Sequence, residues 1–307
     1  MNNPMHSVGR FGERYAAFLE TVASERARLH RYAARMTGSV LDGEDVMQEA
    51  LFEAYRKLDR LENDESLRPW LHKIVHNRCI DFIRSRTIRR TRETAASEPD
   101  LAPAVEVYGH GVCRALERLV LHLPPKERAC VLLKDVFDYE LEEISRLVGS
   151  TVGGVKAALH RGRQKLSALP EAEVVEARPD ERLEEIHALY VDRFNRQDWD
   201  GLRELISADA RLLITDLYAG PPVLGYFTRF DQMPHPRRLI AGTLDGTPVL
   251  VLLGGLSQDM TPTAVIRLKI GPSGIIELRH YTGCPWLIPA AESLVIDDYP
   301  QALRTLH

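Results

Sequence analysis

Four side chains in the middle of the sequence have the types and spacing needed to recognise an anion. They are Lys156, His160, Arg161 and Arg163, and three of them recur on one stripe of a helix. No acidic residue occurs within residues 151–165. Cations neutralise phosphates, and their N–H groups can donate to base edges. These residues predict a nucleic-acid contact, with a solvated helix of an ordinary bundle as the alternative.

Two short helices joined by a tight turn would position this basic stripe. Apolar residues recur at helical spacing over 141–148, and Gly149 is expected to end that helix in the left-handed conformation. Ser150 or Thr151 can then cap the second helix. The second helix also has an apolar stripe, formed by Val152, Val155, Leu159 and Leu166. One face that docks and one basic face that remains available are typical of a helix-turn-helix.

A second basic stretch, which includes an aromatic residue, lies nearer the N terminus. Residues 68–92 hold eight Lys or Arg and one acid, and a helix is predicted over 66–89. The side chains that suit a single nucleic-acid strand are Trp70, Lys73, Asn77, Arg78 and Arg84. Their cations can neutralise phosphates while the ring offers a stacking surface. A core position for the tryptophan is the alternative.

A polar helix face precedes this stretch. After a first helix predicted over 9–37, Asp42 is expected to cap a second helix that ends near Leu58. One side of the second helix is polar and carries Glu44, Asp45, Gln48, Glu49 and Glu53. Such a face is usually solvated, and a binding site for a protein partner is the other interpretation.

Charge is unevenly distributed along the 307 residues. Residues 1–168 carry 27 basic and 24 acidic side chains, a net +3, whereas residues 169–307 carry 13 and 20, a net −7. The basic part is therefore expected to meet nucleic acid and the acidic part is not.

Cysteine spacing and hydropathy exclude several other classes of protein. The four cysteines form no CxxC pair, so neither a metal site nor a redox motif is indicated, and no cofactor is expected. No apolar run is long enough for a membrane span or a signal peptide. The sequence predicts a soluble cytoplasmic protein with no membrane partner.

Composition predicts three folded parts and two linkers. An all-α part over 9–90 is followed by a linker at 91–110, rich in proline and small residues. A four-helix part over 111–168, which includes helices at 111–123 and 125–137, precedes a second linker at 169–181. Residues 182–300 begin with amphipathic helix and continue as short strands without βαβ alternation. They predict an α+β cone in which a curved antiparallel sheet wraps over helices.

In their order and spacing, the helical segments resemble bacterial sigma factors of the extracytoplasmic-function type, group IV. The segments are DGEDVMQEALFEAY, LRPWLHKIVHNRCIDFIRSR and LPPKERACVLLKDVFDYELEEISRLVGSTVGGVKAALHRGRQKL. The resemblance implies that 9–90 is sigma region 2 and that 111–168 is sigma region 4. It further implies a non-enzymatic protein that binds core RNA polymerase and promoter DNA and directs transcription initiation.

The resemblance also implies a role for each group of residues. Core-polymerase binding falls on Asp45, Gln48 and Glu49. Recognition and opening of the minus-ten element fall on Trp70, Lys73, Asn77, Arg78 and Arg84. Recognition of the minus-thirty-five element falls on Thr151, Lys156, His160, Arg161 and Arg163.

Residues 182–300 resemble SnoaL-like domains of the nuclear-transport-factor-2 superfamily through YVDRFNRQDWDGLRELISADARL. In sigma factors with such a fused domain, the domain implies regulation and contact with the sigma regions. Enzymatic relatives use an acid inside the cone, for which Glu277 and Asp216, with His280 nearby, are the candidates here. A small apolar ligand is compatible with a cone, although no residue identifies one.

Two alternative functions stay open at the level of sequence. The first is a helix-turn-helix regulator that does not bind the polymerase core. The second is a SnoaL-like cyclase or isomerase fused to a DNA-binding unit.

Overall fold

A computed structural model describes most of the chain as two compact units. The described residues are 4–61, 67–96, 122–168, 180–215, 218–220, 226–227, 230, 237–255 and 260–296. The first unit contains the described residues up to 168, and the second contains those from 180. Most of the predicted helix at 111–123 and most of both predicted linkers lie outside the described residues.

Three helices form the N-terminal half of the first unit: α1 (Pro4–Thr37), α2 (Val40–Lys57) and α3 (Leu67–Ala96), with a 3₁₀ turn at Leu58–Arg60. The expected cap at Asp42 is wrong, because Ser39 caps α2 by accepting a hydrogen bond from the Asp42 backbone N–H. The expected linker start at residue 91 is also wrong, since α3 continues through 91–96.

The C-terminal half of the first unit contains α4 (Pro125–Val131), a π-helical turn (Leu132–Val136), α5 (Leu141–Val148) and α6 (Val152–Ser167). A single α-helix over 125–137 was expected, but the hydrogen bond from Phe137 N to Leu132 O makes the last turn wider. The turn between α5 and α6 is as predicted. Gly149 has φ of 63°, and Thr151 accepts the capping bond from Gly154 N.

One hydrophobic core joins the two halves of the first unit. Side chains from α1, α2 and α3 and from α4, α5 and α6 belong to a single buried cluster. Gly43 lets α1 and α2 approach closely, because a Cβ at that position would lie 2.6 Å from the Ala34 backbone nitrogen. The two helical parts predicted at 9–90 and 111–168 therefore share their interior within the described residues.

The second unit packs two helices, α7 (Glu181–Asn195) and α8 (Trp199–Glu204), on a seven-stranded sheet. The strands are β1 (Ile206–Ile214), β2 (Tyr218–Gly220), β3 (Arg237–Leu244), β4 (Thr247–Gly254), β5 (Thr261–Gly271), β6 (Gly274–Tyr281) and β7 (Leu294–Ile296), with α9 (Leu287–Ala290) before the last. Their order is β2-β1-β6-β5-β4-β3-β7. The predicted α+β class is confirmed, but the sheet is mixed, because β1 and β6 run parallel.

The core of the second unit lies between its helices and one face of the sheet. Tyr190 and Phe194 of α7 belong to the same buried cluster as Leu250 and Leu278. Side chains alternate between the two faces along a strand, so residues next to Leu278 in sequence point to the opposite face. This alternation decides which polar side chains of β6 lie near the helices.

His187 of α7 is buried in this unit, and burial lowers the pKa of its imidazole to about 4. The unfolded chain binds this proton at its ordinary pKa of about 6.5, so acidification favours unfolding as the pH falls from about 6.5 towards 4. Between pH 7 and pH 5 we expect His187 to lower the free energy of unfolding by about 2 kcal/mol.

Thermal unfolding of the full chain at both pH values checks this expectation. His187→Leu should remove the acid-dependent part of the loss in the second unit, whereas the same change at the exposed His122 should not. An equal pH dependence in wild type and His187→Leu would contradict the assignment.

Candidate polymerase and nucleic-acid interfaces

The face of α6 that points away from the core carries Lys156, His160 and Gln164. At about 100° per residue, these side chains fall within roughly 40° of the direction of His160. All three are exposed, whereas Val155 and Leu159 are buried on the opposite side. Neither Lys156 nor His160 makes a hydrogen bond or an ion pair with any described residue. Two predicted contact residues are thus directed at solvent.

Arg161 lies on one flank of this face and is held by an acid. Its Nε donates to Glu127 Oε1 at 2.9 Å, and Lys165 Nζ donates to the other carboxylate oxygen at 2.8 Å. Burial alone would raise the pKa of Glu127, but the bonds from Lys165 and Arg161 outweigh it and hold that pKa below its ordinary value. The carboxylate therefore stays charged and orients both cations.

Arg163 lies on the other flank and pairs with Asp135 of the π-helical turn. Its Nε and Nη2 donate to the two carboxylate oxygens at 3.1 and 2.5 Å, and this pairing raises the pKa of Arg163. Both flanking arginines keep about half of their side-chain surface exposed. Their ion pairs therefore hold positive charge in defined positions on both sides of the outward face.

Thr151 has a different role from the other predicted residues of α6. Its hydroxyl is occupied as the N-cap. This cap fixes the residue at which α6 begins. The backbone N–H groups of its first turn, which have no partner within the helix, therefore have a defined position. The prediction that Thr151 contributes to DNA binding stays a prediction, and the structure adds a capping role.

Four of the predicted minus-ten residues share one face of α3. Trp70, Lys73, Asn77 and Arg84 fall within a sector of about 60°. Lys73, Asn77 and Arg84 are exposed, and Trp70 is half-buried because its ring also packs against the core. Trp70 lies at the edge of the core. One part of its ring packs against buried residues, and the other part stays exposed on the α3 face.

Arg78 points away from this face. It lies about 80° beyond Trp70 around α3, and its Nε donates to Glu53 of α2 at 2.5 Å. Arg78 thus joins α3 to α2 beside the predicted polymerase surface. The nearby histidines are also inside, with His72 and His76 both buried.

The predicted polymerase surface lies on the outward side of α2. Glu49 is exposed, and Asp45 and Gln48 are partly exposed. Glu44 does not belong to the surface, because it is fully buried and paired with Arg26. The buried carboxylate instead accepts a hydrogen bond from Gln48 at 3.5 Å and helps to hold that amide in place.

An aromatic residue that sequence reasoning missed lies on this surface. Phe52 is 64% exposed, and the Arg56 guanidinium lies 5.9 Å from its ring centroid. Its spacing in the sequence could have identified it. Phe52 follows Asp45 by seven positions and Glu49 by three, and these intervals place the three side chains on the same side of a helix. Glu127 and Asp135 were missed as well, and their partners lie 34 and 28 residues away, beyond any local pattern.

Glu277, a candidate acid of the second unit, lies outside the core between helices and sheet. It accepts from Arg279 Nε at 2.8 Å, next to Leu278, which faces the helices. His280 does face the helices and lies 3.1 Å from the Tyr226 hydroxyl. Among the described residues of this core no carboxylate is buried, and Asp216 lies outside the described residues.

The described residues include neither a helix suited to a bilayer nor a metal-binding cluster. No helix there has both the length and the hydropathy required to cross a bilayer. No cluster of His, Cys, Asp and Glu there has the arrangement of a metal site. Of the cysteines, Cys79 and Cys130 are buried and Cys284 is partly exposed.

Three outward faces on separate helices are the arrangement expected of a protein that contacts DNA through two elements and a protein partner through a third. Residues 21–88 match the Sigma-70 region 2 family, and residues 113–166 match the Sigma-70 region 4 family. The matched segments contain every predicted contact residue.

Known sigma factors extend this match. The chain is 30% identical over 159 residues to the ECF RNA polymerase sigma factor SigM of Mycobacterium tuberculosis, covering 52% of this chain and 79% of SigM. It is 28% identical over 281 residues to SigG of the same organism, covering 78% of this chain and 74% of SigG. The chain belongs to the extracytoplasmic-function family of RNA polymerase sigma factors.

One solved structure to which the chain is similar is also a sigma factor. The crystal structure of M. tuberculosis SigJ covers 89% of this chain and 98% of its own, with 16% identity and a TM-score of 0.31.

Lys156→Ala tests the outward face of α6. Because Lys156 has no partner among the described residues, its loss should weaken DNA binding and lower the salt slope by about one without changing thermal stability. The measurement is affinity for a duplex selected by this protein, taken at several salt concentrations.

Two other variants serve as references. Lys269→Ala, which removes an exposed cation of β5 in the second unit, should keep the wild-type slope. Arg161→Ala should lower both the slope and the stability, because Glu127 loses a partner. A salt slope unchanged by Lys156→Ala would remove Lys156 from the interface.

Proposed function

We propose that this protein is an alternative sigma factor, which binds core RNA polymerase and directs it to specific promoters. The observation that carries the proposal is the presence of three separate outward faces on matched sigma regions. These are the polar side of α2, the Trp70 face of α3 and the Lys156 face of α6. A plain helix-turn-helix regulator needs only the third.

The α3 face suits a strand whose bases have left the duplex. Exposed cations can hold the phosphates, and the ring of Trp70 and the amide of Asn77 can receive unstacked bases. The α6 face suits duplex DNA, since a helix with outward cations can enter a major groove. Melting is thereby assigned to region 2 and upstream register to region 4.

The α2 face suits a protein partner. It combines carboxylates, an amide and the exposed ring of Phe52, and aromatic residues are enriched at the centres of protein interfaces. We assign core-polymerase binding to Asp45, Gln48 and Glu49 and place the protein in the cytoplasm, where polymerase acts.

The second unit is assigned a regulatory role and no enzymatic one. Sigma-factor family membership supports a non-enzymatic protein, and Glu277 is engaged outside the helix–sheet core. The proposed regulation acts through contact of residues 182–300 with the sigma regions. The SnoaL-like enzyme hypothesis would need a proton-transfer acid inside that core.

Run-off transcription with purified core polymerase tests the main proposal. Genomic templates should yield promoter-specific transcripts with the full chain that are missing with core alone. A protein truncated after Pro170 should change the yield or the set of promoters. No specific transcript above core alone would reject the sigma-factor function, and identical transcripts after truncation would reject regulation by the second unit.

Asp45→Ala and Gln48→Ala test the polymerase surface. Each should lower affinity for core polymerase roughly ten-fold, since a central interface residue commonly contributes about 1–2 kcal/mol. DNA binding by the free protein should be unchanged. Glu142→Ala, an exposed carboxylate on α5, is the matched control. Full core affinity in both variants would favour a regulator that does not bind polymerase.

A further inference from the structure

An exposed apolar patch continues the predicted polymerase surface of α2 on to α1. Among the residues that the structure describes, seven large apolar side chains are exposed, and four of them lie on this pair of helices. We call these four the apolar patch: Tyr15 (37% exposed) and Leu19 (48%) of α1, and Phe52 (64%) and Tyr55 (48%) of α2. Single exposed apolar side chains need no explanation, but a contiguous group marks a surface that another molecule covers.

Contacts and helical spacing join the four side chains into one patch. The rings of Tyr15 and Tyr55 meet edge-on across the two helices, with centroids 5.8 Å apart. Leu19 follows Tyr15 by four positions and Phe52 precedes Tyr55 by three, and both intervals place side chains on the same side of a helix. The tyrosine pair therefore connects the α1 part of the patch to the α2 part.

The patch adjoins the carboxylates of the predicted polymerase surface. At about 100° per residue, Phe52 lies about 20° from Asp45 around α2, and Tyr55 lies about 80° from it in the same direction. Glu49 lies about 40° to the other side, towards α3. The outward side of α2 is thus acidic next to α3, and it combines the two rings with the amide of Gln48 next to α1.

Three polar residues are too few for a stable protein interface. Such an interface takes roughly 20–30 residues from each partner, and aromatic residues are enriched in its buried core. An extension towards α3 would meet the ion pair between Arg78 and Glu53, which leads to the nucleic-acid face. An extension towards α1 meets the apolar patch, whose burial would add free energy that Asp45, Gln48 and Glu49 cannot supply.

We propose that core polymerase covers the apolar patch, through an element that presents cations to the carboxylates of α2 and aliphatic or aromatic side chains to the patch. The inference rests on the proposed sigma-factor function and names the chemistry of the partner at that site. Asp45 and Tyr55 lie about 15 Å apart along α2, so an element of about ten helical residues would reach both parts. Tyr15 and Leu19 precede the residues 21–88 that match the region 2 family, so the proposed contact extends beyond the matched segment.

Leu19→Gln and Tyr55→Gln test the patch from both helices. Glutamine is a good helix former and both positions are exposed, so thermal stability should stay close to the wild-type value. Affinity for core polymerase should fall about five-fold in each variant, because the partner would bury about half of each side chain. Leu189→Gln, which changes a similarly exposed leucine of α7, is the matched control and should keep full affinity.

Binding to core polymerase at several salt concentrations separates the two chemistries of the surface. The loss of affinity caused by Asp45→Ala should shrink as the salt concentration rises, because ions screen the charge that is removed. The loss caused by Leu19→Gln should persist, since apolar burial does not depend on charge. Equal salt dependence of the two losses would overturn the apolar role of the patch.

A photo-crosslinking amino acid in place of Leu19 reports the partner directly. With purified core polymerase it should form a covalent adduct with a core subunit, whereas the same group in place of Leu189 should not. An adduct with a second copy of this chain, instead of a core subunit, would overturn the proposed occupant.

The outcomes separate the patch from the proposed function. Lower core affinity in Asp45→Ala, with full affinity in Leu19→Gln and Tyr55→Gln, would overturn the patch alone. Wild-type protein that neither binds core polymerase nor directs promoter-specific transcription would overturn the sigma-factor function, and the patch proposal with it.

Discussion

Every proposed binding face in the first unit is the side of a helix that a shared hydrophobic core leaves exposed to water. Because α2, α3 and α6 each bury one side in that core, the outward side has a defined direction. Close approach of α1 and α2 at Gly43 and the turn at Gly149 fix the helices that present those sides. The chemistry of each face then depends on which residues fall in the remaining sector.

Ion pairs between helices give several side chains defined positions on this framework. Glu127 bonds to Arg161 and Lys165, and Asp135 bonds to Arg163. These bonds orient the cations that lie beside the outward face of α6. Glu44, paired with Arg26, supports the α2 face from beneath. A buried charge is tolerated only when it is paired, and the two buried acids among these, Glu44 and Glu127, both have cationic partners.

The docking of region 4 on region 2 combines polar contacts with apolar burial. Tyr139, His72 and Glu25 form a hydrogen-bonded chain between the two regions, beside the hydrophobic core that both regions share. The polar contacts orient the regions, and burial of the shared apolar side chains stabilises their association.

The sequence by itself determined the fold class, the helix-turn-helix and the identity of most outward residues, because helical periodicity and turn chemistry are local. It also distinguished residues 1–168, which carry a net positive charge, from residues 169–307, which carry a net negative charge. Only the tertiary structure decided that Glu44, His72 and His76 are buried, that Arg78 bonds to α2, and that Glu127 bonds to Arg161 of α6. It likewise decided the parallel pairing of β1 with β6. Each of these depends on residues far apart in the chain, where no local pattern specifies the partner.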